Sequence, residues 1–233
     1  MLARKNVSIS SELYDQIKEE WGYRVSWAIW DEDTKQSTKM KPTKTNMEKL
    51  HIFDRDKNPE ILNLCNPNVI LLGLNVSKEE RLQDFQNFHS NPKTGKPTGG
   101  AFKLRYALKN SPFWGAYMTD FVKDYPWPEG SDVIEHLKQN PEVVKSNIEI
   151  LKEEIETLGS TNLTIIVMYK NELLDYVKEA FGELYDVAFI PHYEARGFVA
   201  DAQIYRLVVL MKLVEQLQCN PWDDPLERWV TNY

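Results

Sequence analysis

The chain has 233 residues, of which 42% are hydrophobic and 27% charged, and its formal net charge is −7 at pH 7. This length suits one large domain, and the hydrophobic share excludes a chain that is mainly disordered. The two cysteines, Cys65 and Cys219, exclude a disulfide scaffold, a four-cysteine zinc site and an iron–sulfur cluster held by four thiolates of this chain.

No stretch of the sequence is apolar enough to cross a membrane. Even the apolar run over 198–217 carries Asp201, Arg206, Lys212 and Glu215. The N-terminus lacks the apolar core of a signal peptide, so we expect a cytoplasmic protein without a membrane partner. The acidic net charge argues against a general nucleic-acid coat protein but says little about a local groove.

The hydrophobic pattern predicts helices and strands that alternate along the chain. The first helix covers about 11–20 with Ser10 or Ser11 as its N-cap, and residues 23–31 form a strand or an extended segment. Buried strands are predicted over 69–74, 115–121, 163–169 and 186–191. The other helices are predicted over 59–64, 100–109, 141–158, 171–181 and 197–218. Asn140 caps the helix over 141–158, and the last helix is apolar on most of its surface, which predicts that it is well buried.

This alternation predicts an α/β fold, specifically a three-layer α/β/α sandwich with a central, mostly parallel four-stranded sheet. The whole chain, 1–233, is predicted to be one domain. In that domain residues 1–55 form an N-terminal cap and residues 66–217 form the α/β core.

In open α/β sheets, ligands bind beyond the carboxyl ends of the strands, and this rule selects four loops, which begin at Asn75, Asp120, Tyr169 and His192. Gly73 permits close approach to the backbone there, and Asn75 offers both a donor and an acceptor. Asp120 ends the next strand, and His192 follows the last one in a loop that also holds an aromatic residue and an arginine. Turn or cap roles remain open for Asn75 and Asp120, and an ordinary structural role remains open for His192.

Familiar catalytic motifs are missing from the sequence. The glycine-rich stretch 95–100 has the wrong order for a Walker loop, and there is no GxGxxG, nucleophile elbow or HExxH. The four histidines have no metal-ligand spacing, so we expect neither a metal nor a cofactor.

Taken together, the four loops resemble the motifs of the uracil-DNA glycosylase superfamily, over about residues 66–217 and in the family's order. Gly73-Leu74-Asn75-Val76-Ser77 is similar to the family's Gly-x-Asn-Pro motif, although the proline is missing. Phe88-His89-Ser90 is similar to the motif whose aromatic ring stacks on the base, and Asp120 occupies the place of the polar residue that reads the base. His192-Tyr193-Glu194-Ala195-Arg196 shares a histidine and a following arginine with the His-Pro-Ser motif but lacks Pro-Ser.

The resemblance implies a DNA base N-glycosylase that flips a base, normal or modified, into a pocket and hydrolyses its glycosidic bond without a cofactor. The implied partner is DNA, with single-stranded and modified DNA included. The implied catalytic residues are Asn75 and His192, and the implied base-binding residues are Gly73, Phe88 and Asp120. The implied DNA contacts are His89, Tyr193, Arg196, Lys93 and Lys96, although a core or rim position remains equally open for Tyr193.

Glycosidic cleavage leaves negative charge on the departing base, which a neutral His192 would stabilise by donating a hydrogen bond. Asn75 would position water, although an amide is a poor base. An ionised Asp120 can only accept hydrogen bonds, so we expect a substrate other than plain uracil.

Two other interpretations stay open: a non-catalytic module that binds nucleic acid or protein, and a different small-molecule enzyme on the same fold.

Positive charge is concentrated around the predicted site. Residues 85–119 contain five basic side chains and no acidic one. This distribution predicts a basic lip beside the pocket and nucleic-acid binding that weakens with salt.

Overall fold

The computed structural model describes residues 8–30, 50–76, 83–89, 101–123, 129–169, 172–194 and 201–218. Within these residues the chain forms one sheet with helices on both faces, which confirms the α/β class. No helix in the described part of the chain is both long and apolar enough to cross a membrane.

The sheet has five strands rather than the four that were predicted, in the order β1-β3-β2-β4-β5. Their bounds are β1 Ser26–Trp27, β2 Asn66–Asn75, β3 Ala116–Val122, β4 Thr164–Val167 and β5 Asp186–Phe189. The added strand is β1, which pairs antiparallel with β3 through Ser26 opposite Met118 and Trp27 opposite Tyr117. It covers an edge of β3 that would otherwise present unpaired backbone groups. The other four strands are parallel, as predicted.

Seven α-helices lie in the described residues: α1 Ser11–Trp21, α2 Ile61–Leu64, α3 Ala101–Leu108, α4 Gly130–Gln139, α5 Pro141–Leu158, α6 Glu172–Phe181 and α7 Ala202–Leu217. Helix α1 begins where Ser10 accepts a hydrogen bond from the backbone of Leu13. Helix α5 ends at Gly159, whose φ of +64° suits glycine.

Three predictions about the helices are wrong in detail. Asn140 precedes α5 but makes no capping hydrogen bond, because its side-chain amide donates to the backbone of His136 instead. Helix α4 was not predicted. Helix α7 is not buried all round, because three of its apolar side chains face outwards.

Two apolar cores lie on opposite faces of the sheet because successive side chains of a strand point to opposite sides. Ile70 and Leu72 of β2 face the core that α1, α4, α5 and α6 cover. Leu71 faces the other core, which α3 and α7 cover. The N-terminal segment belongs to this fold, since Tyr14 of α1 and Trp27 of β1 are both buried in the first core.

Candidate functional site

The strand order places a crevice at the carboxyl ends of the parallel strands. From β2 the chain continues to β3 on one side, and it later forms β4 on the other side of β2. Such a reversal point is where open α/β sheets bind their ligands. Gly73 and Asn75 lie at this end of β2, and Asp120 lies at the same end of β3.

Three of the predicted residues meet at this edge. Gly73 and Asp120 are register partners on neighbouring parallel strands, so both face the same side of the sheet. A Cβ atom at Gly73 would clash with Oδ1 of Asp120 and lie 3.1 Å from Cε1 of Phe88. The glycine therefore makes room for a carboxyl group and an aromatic ring at one point of the sheet edge.

Asp120 is a buried carboxyl group held from one side. Its Oδ2 accepts a hydrogen bond of 2.9 Å from Nδ2 of Asn87, which also donates to the backbone oxygen of Arg24 at 2.6 Å. Burial raises the pKa of Asp120 from 3.8 to about 6, and the hydrogen bond from Asn87 opposes that rise. Asn87 thus fixes the carboxyl group with Oδ2 engaged and Oδ1 beside Gly73.

The segment that carries Phe88 is held in a strained conformation. Phe85 and Phe88 have φ angles of +58° and +67°, a region that bulky side chains rarely adopt. The N-terminal segment holds this backbone in place. The amide of Phe85 donates to Gly22, and the hydroxyl of Ser26 donates to the carbonyl of Phe85, both at 2.7 Å. Backbone strain of this kind persists only where the surrounding structure holds a residue in one position. The hydrogen bonds to the N-terminal segment therefore fix the position of the Phe88 ring.

His89 does not lie where DNA would contact it. Its ring is 6% exposed, with Nε2 lying 3.3 Å from the backbone oxygen of Trp27 and the ring packed against Trp30 and Phe53. Burial lowers the pKa of His89 to about 4, so the ring is neutral at physiological pH. The predicted DNA contact therefore has no support, and His89 anchors the segment of Phe88 to the core.

His192 is half-buried and has a defined tautomer. Its Nδ1 accepts a hydrogen bond of 3.2 Å from the backbone amide of Glu194, so the proton of the neutral ring sits on Nε2. Burial lowers the pKa of His192, which favours that neutral form; the charge of Glu194 opposes this shift, and the charge of Lys103 adds to it. The ring therefore offers one N–H donor at the carboxyl edge of the sheet.

Tyr193 is a core residue and not a free wedge for DNA. It is 7% exposed, and the ring of His192 stacks on it with 4.2 Å between ring centroids. Burial raises the pKa of Tyr193, and the carboxylates of Glu194 and Asp120 add to the rise. Asp120 is thus within electrostatic reach of the loop that carries His192.

Asn75 ends β2 half-buried, and its side-chain amide donates to the carbonyl of Val76 at 3.1 Å. This bond is a local turn contact, the structural role that had been left open. The structure does not describe Lys93, Lys96 and Arg196, which were predicted to contact DNA, or Ser77 at the end of the Gly73–Ser77 motif.

Two residues of the site were not singled out from the sequence. Asn87, next to Phe88, orients Asp120. Lys103 of α3 is buried with its Nζ 5.5 Å from the ring centroid of Tyr205, and burial lowers its pKa. Its place on the inner face of α3 is the signal that marks it, because a lysine among Leu104, Ala107 and Leu108 is unusual for a solvated helix.

Comparison of the chain with known protein families, with curated proteins and with solved structures found no match. The site is therefore interpreted from its own residues. Among the described residues, no group of three or more His, Cys, Asp or Glu side chains is arranged to hold a metal ion. What the edge offers is an aromatic ring, an oriented carboxyl group, a neutral imidazole and a buried ammonium group.

Proposed function

We propose that this protein binds a nucleobase at the carboxyl edge of its sheet and hydrolyses the N-glycosidic bond of that base in DNA. The meeting of Gly73, Phe88 and Asp120 carries the proposal. A flat ring needs an aromatic platform, a backbone that permits close approach and a polar group at the edge of the ring. These three residues supply one of each.

In this proposal the base stacks on Phe88 beside Gly73, and Oδ1 of Asp120 accepts a hydrogen bond from the edge of the base. Only one oxygen is available for that contact, because Oδ2 already accepts from Asn87. Flipping a base from a duplex costs about a few kcal/mol, which stacking and hydrogen bonding in the pocket offset. Because Asn87 already orients the carboxyl group before the base binds, little side-chain conformational entropy is lost on binding.

Cleavage is dissociative in character, with charge building on the departing base. The Nε2–H of His192 donates to that anion, and the ammonium group of Lys103 adds positive charge to the same region. Asn75 positions the attacking water through its side-chain oxygen. No residue is assigned as a strong base that deprotonates the water, so the rate of cleavage depends on stabilising the leaving group.

The preferred base is one that presents an N–H to Asp120. The ionised carboxylate accepts from a ring N–H or an exocyclic amine but faces the O4 carbonyl of uracil unfavourably. An asparagine at this position, with its oxygen accepting from Asn87, would turn its amide nitrogen to the base and donate to O4. Replacing Asp120 by Asn is therefore expected to shift the preference towards uracil.

A non-catalytic binding module is the second candidate. One observation favours it: the Asn75 amide donates to its own turn at Val76, as a purely structural asparagine would. Such a module would use the same edge to recognise a base and would leave the glycosidic bond intact.

The test measures both binding and base release, with duplex and single-stranded oligonucleotides that each carry one normal or modified base. The wild type is compared with Asn75→Ala, His192→Ala and Asp120→Asn. His136→Ala is the matched control, because His136 lies on α4, a helix that covers the other face of the sheet. We expect release by the wild type, strong loss in the first two variants, a shifted base preference in the third and no change in the control.

Binding without release by the wild type would favour the module. Equal release of uracil by the wild type and Asp120→Asn would contradict the assigned role of Asp120. Absence of both binding and release would overturn the proposed function and favour a small-molecule enzyme on this α/β fold.

A further inference from the structure

The side-chain amide of Asn87 is held by two backbone groups, which fixes what it offers to Asp120. Its Oδ1 accepts a hydrogen bond of 3.1 Å from the backbone amide of Phe88, and its Nδ2 donates to the backbone oxygen of Arg24 at 2.6 Å. A backbone amide can only donate and a backbone carbonyl can only accept, so this side chain cannot turn over. Nδ2 therefore donates to Oδ2 of Asp120, at 2.9 Å, whatever the charge of that carboxyl group.

This arrangement determines which oxygen of Asp120 carries a proton. A protonated oxygen is a donor, and at Oδ2 it would meet the donor Nδ2 of Asn87 unfavourably. The proton therefore occupies Oδ1, which lies beside Gly73 and the ring of Phe88. The oxygen at the proposed base site is thus an acceptor when the carboxyl group is ionised and a donor when it is protonated.

We propose that Asp120 determines base specificity in two states: the ionised carboxyl group selects a base with an amine opposite Oδ1, and the protonated group selects a base with a carbonyl oxygen there. The proposal rests on the proposed function and deepens it, because it assigns the choice of base to one proton. Cytosine carries an amine and uracil a carbonyl oxygen at the 4-position, so the ionised state favours cytosine and the protonated state favours uracil. Burial raises the pKa of Asp120 to about 6, so both states are accessible between about pH 5 and pH 8.

The carboxyl group shares its surroundings with other charged or titratable side chains. They are Arg24, His89 beside the Phe88 ring, Lys103 of α3, Lys123 after β3, Glu154 of α5, and His192, Tyr193 and Glu194 of the loop after β5. Lys123 and Glu154 act on Asp120 with opposite sign and are paired with each other, with 2.7 Å between Nζ and Oε1. Burial raises the pKa of Tyr193 and lowers that of His89 to about 4, so both stay neutral over most of this range.

His192 is the neighbour whose own titration has to be separated from that of Asp120, because burial lowers its pKa from 6.5. Asp120→Asn keeps His192 and removes only the titration of the carboxyl group. The oxygen of the new amide accepts from Asn87, so its nitrogen faces the base as a permanent donor. The variant therefore imitates the protonated state at every pH.

The test measures binding by fluorescence anisotropy with single-stranded oligonucleotides, for which no base pair has to be opened. The oligonucleotides carry uracil, cytosine or no base at one position, and a 2′-fluoroarabino sugar there keeps the glycosidic bond intact. Affinities are measured between about pH 5 and pH 8 for the wild type, Asp120→Asn and Asp132→Asn. Asp132→Asn is the matched control, because it removes an exposed carboxyl group at the start of α4.

We expect the ratio of uracil affinity to cytosine affinity to rise about tenfold from pH 8 to pH 5 in the wild type and in Asp132→Asn. In Asp120→Asn the ratio should favour uracil and stay constant with pH. The wild type needs no substitution for this comparison, so its result stands even if a variant fails to fold.

The contrary outcomes separate this proposal from the proposed function. Base-dependent binding with a ratio that stays constant in the wild type, or that rises with pH, would overturn the two-state role of Asp120 and leave base binding intact. The same pH dependence in Asp120→Asn as in the wild type would assign it to another group, such as His192, and would also overturn that role. If no base improves binding over the base-free oligonucleotide at any pH, the proposed function itself is wrong and this proposal fails with it.

Discussion

At the scale of single residues, Asp120 combines burial with a raised pKa. The unfolded chain releases this proton near pH 3.8, and the folded chain releases it near pH 6. The folded state therefore binds more protons between these values, and the stability that Asp120 contributes falls as the pH rises from about 4 to 6. The difference amounts to a free energy on the order of 3 kcal/mol.

Asp120→Asn removes this titration. We expect the variant to gain stability relative to the wild type as the pH rises from 4 to 7, measured as the free energy of unfolding in urea at several pH values. Asp132→Asn is the control, because Asp132 is exposed at the start of α4. If the difference in the free energy of unfolding between wild type and Asp120→Asn does not change with pH, Asp120 is not held in the described environment.

Single residues also show which features of the site could be predicted from the sequence and which could not. The convergence of Gly73 and Asp120 followed from one rule about strand ends, because neighbouring parallel strands finish at the same edge. The burial of His89 and Tyr193 could not be predicted in this way. It depends on Trp27 and Tyr205, which reach the site from other parts of the chain.

At the scale of elements, local signals in the sequence predicted the bounds of three helices closely. Helices α1, α5 and α6 lie within one residue of their predicted bounds, because the Ser10 cap of α1, the glycines after α5 and α6 and the apolar spacing mark them. Helix α4 was missed, although Val133, Ile134 and Leu137 follow helical spacing. Strand β1 has only two residues, so its existence depends on its pairing with β3 and not on its own sequence.

A buried ion pair joins β3 to α5. Nζ of Lys123, just after β3, lies 2.7 Å from Oε1 of Glu154 and donates to the hydroxyl of Thr119 at 2.6 Å. Burial raises the pKa of Glu154, and the charge of Lys123 opposes that rise. Both side chains are almost wholly excluded from solvent, so either charge would be uncompensated without the other.

We expect Lys123→Met and Glu154→Gln each to lower the free energy of unfolding by about 3–5 kcal/mol. The double variant Lys123→Met/Glu154→Gln should cost much less than the sum of the two, because no buried charge remains. Chemical denaturation of all variants measures this coupling. The exposed pair Lys152–Glu149 is the control, where loss of either partner should change stability by less than about 1 kcal/mol. Additive effects at Lys123 and Glu154 would contradict the expectation.

At the scale of the whole molecule, charge is divided between the two faces of the sheet. Helix α5, on one face, carries five glutamates and two lysines. The stretch 85–119 has no acidic residue, and it includes α3 on the face that Phe88 and Tyr193 share. A protein of net charge −7 thus has a glutamate-rich helix on one face of its sheet and, on the face of its candidate site, helix α3 with Lys103, Arg105 and no acidic residue.

Under the proposed function, the distribution of charge along the sequence predicts which lysines set the salt dependence of DNA binding. Each phosphate contact contributes about 0.9 to the slope of log affinity against log salt for duplex DNA, so Lys93→Gln/Lys96→Gln should reduce the slope by about 1.8. Lys145→Gln/Lys178→Gln is the matched control, because α5 and α6 cover the opposite face of the sheet and the change in net charge is the same. The measurement is a salt titration of oligonucleotide affinity by fluorescence anisotropy. Equal slopes in the two double variants would mean that binding follows net charge alone, and the assignment of phosphate contacts to Lys93 and Lys96 would then be wrong.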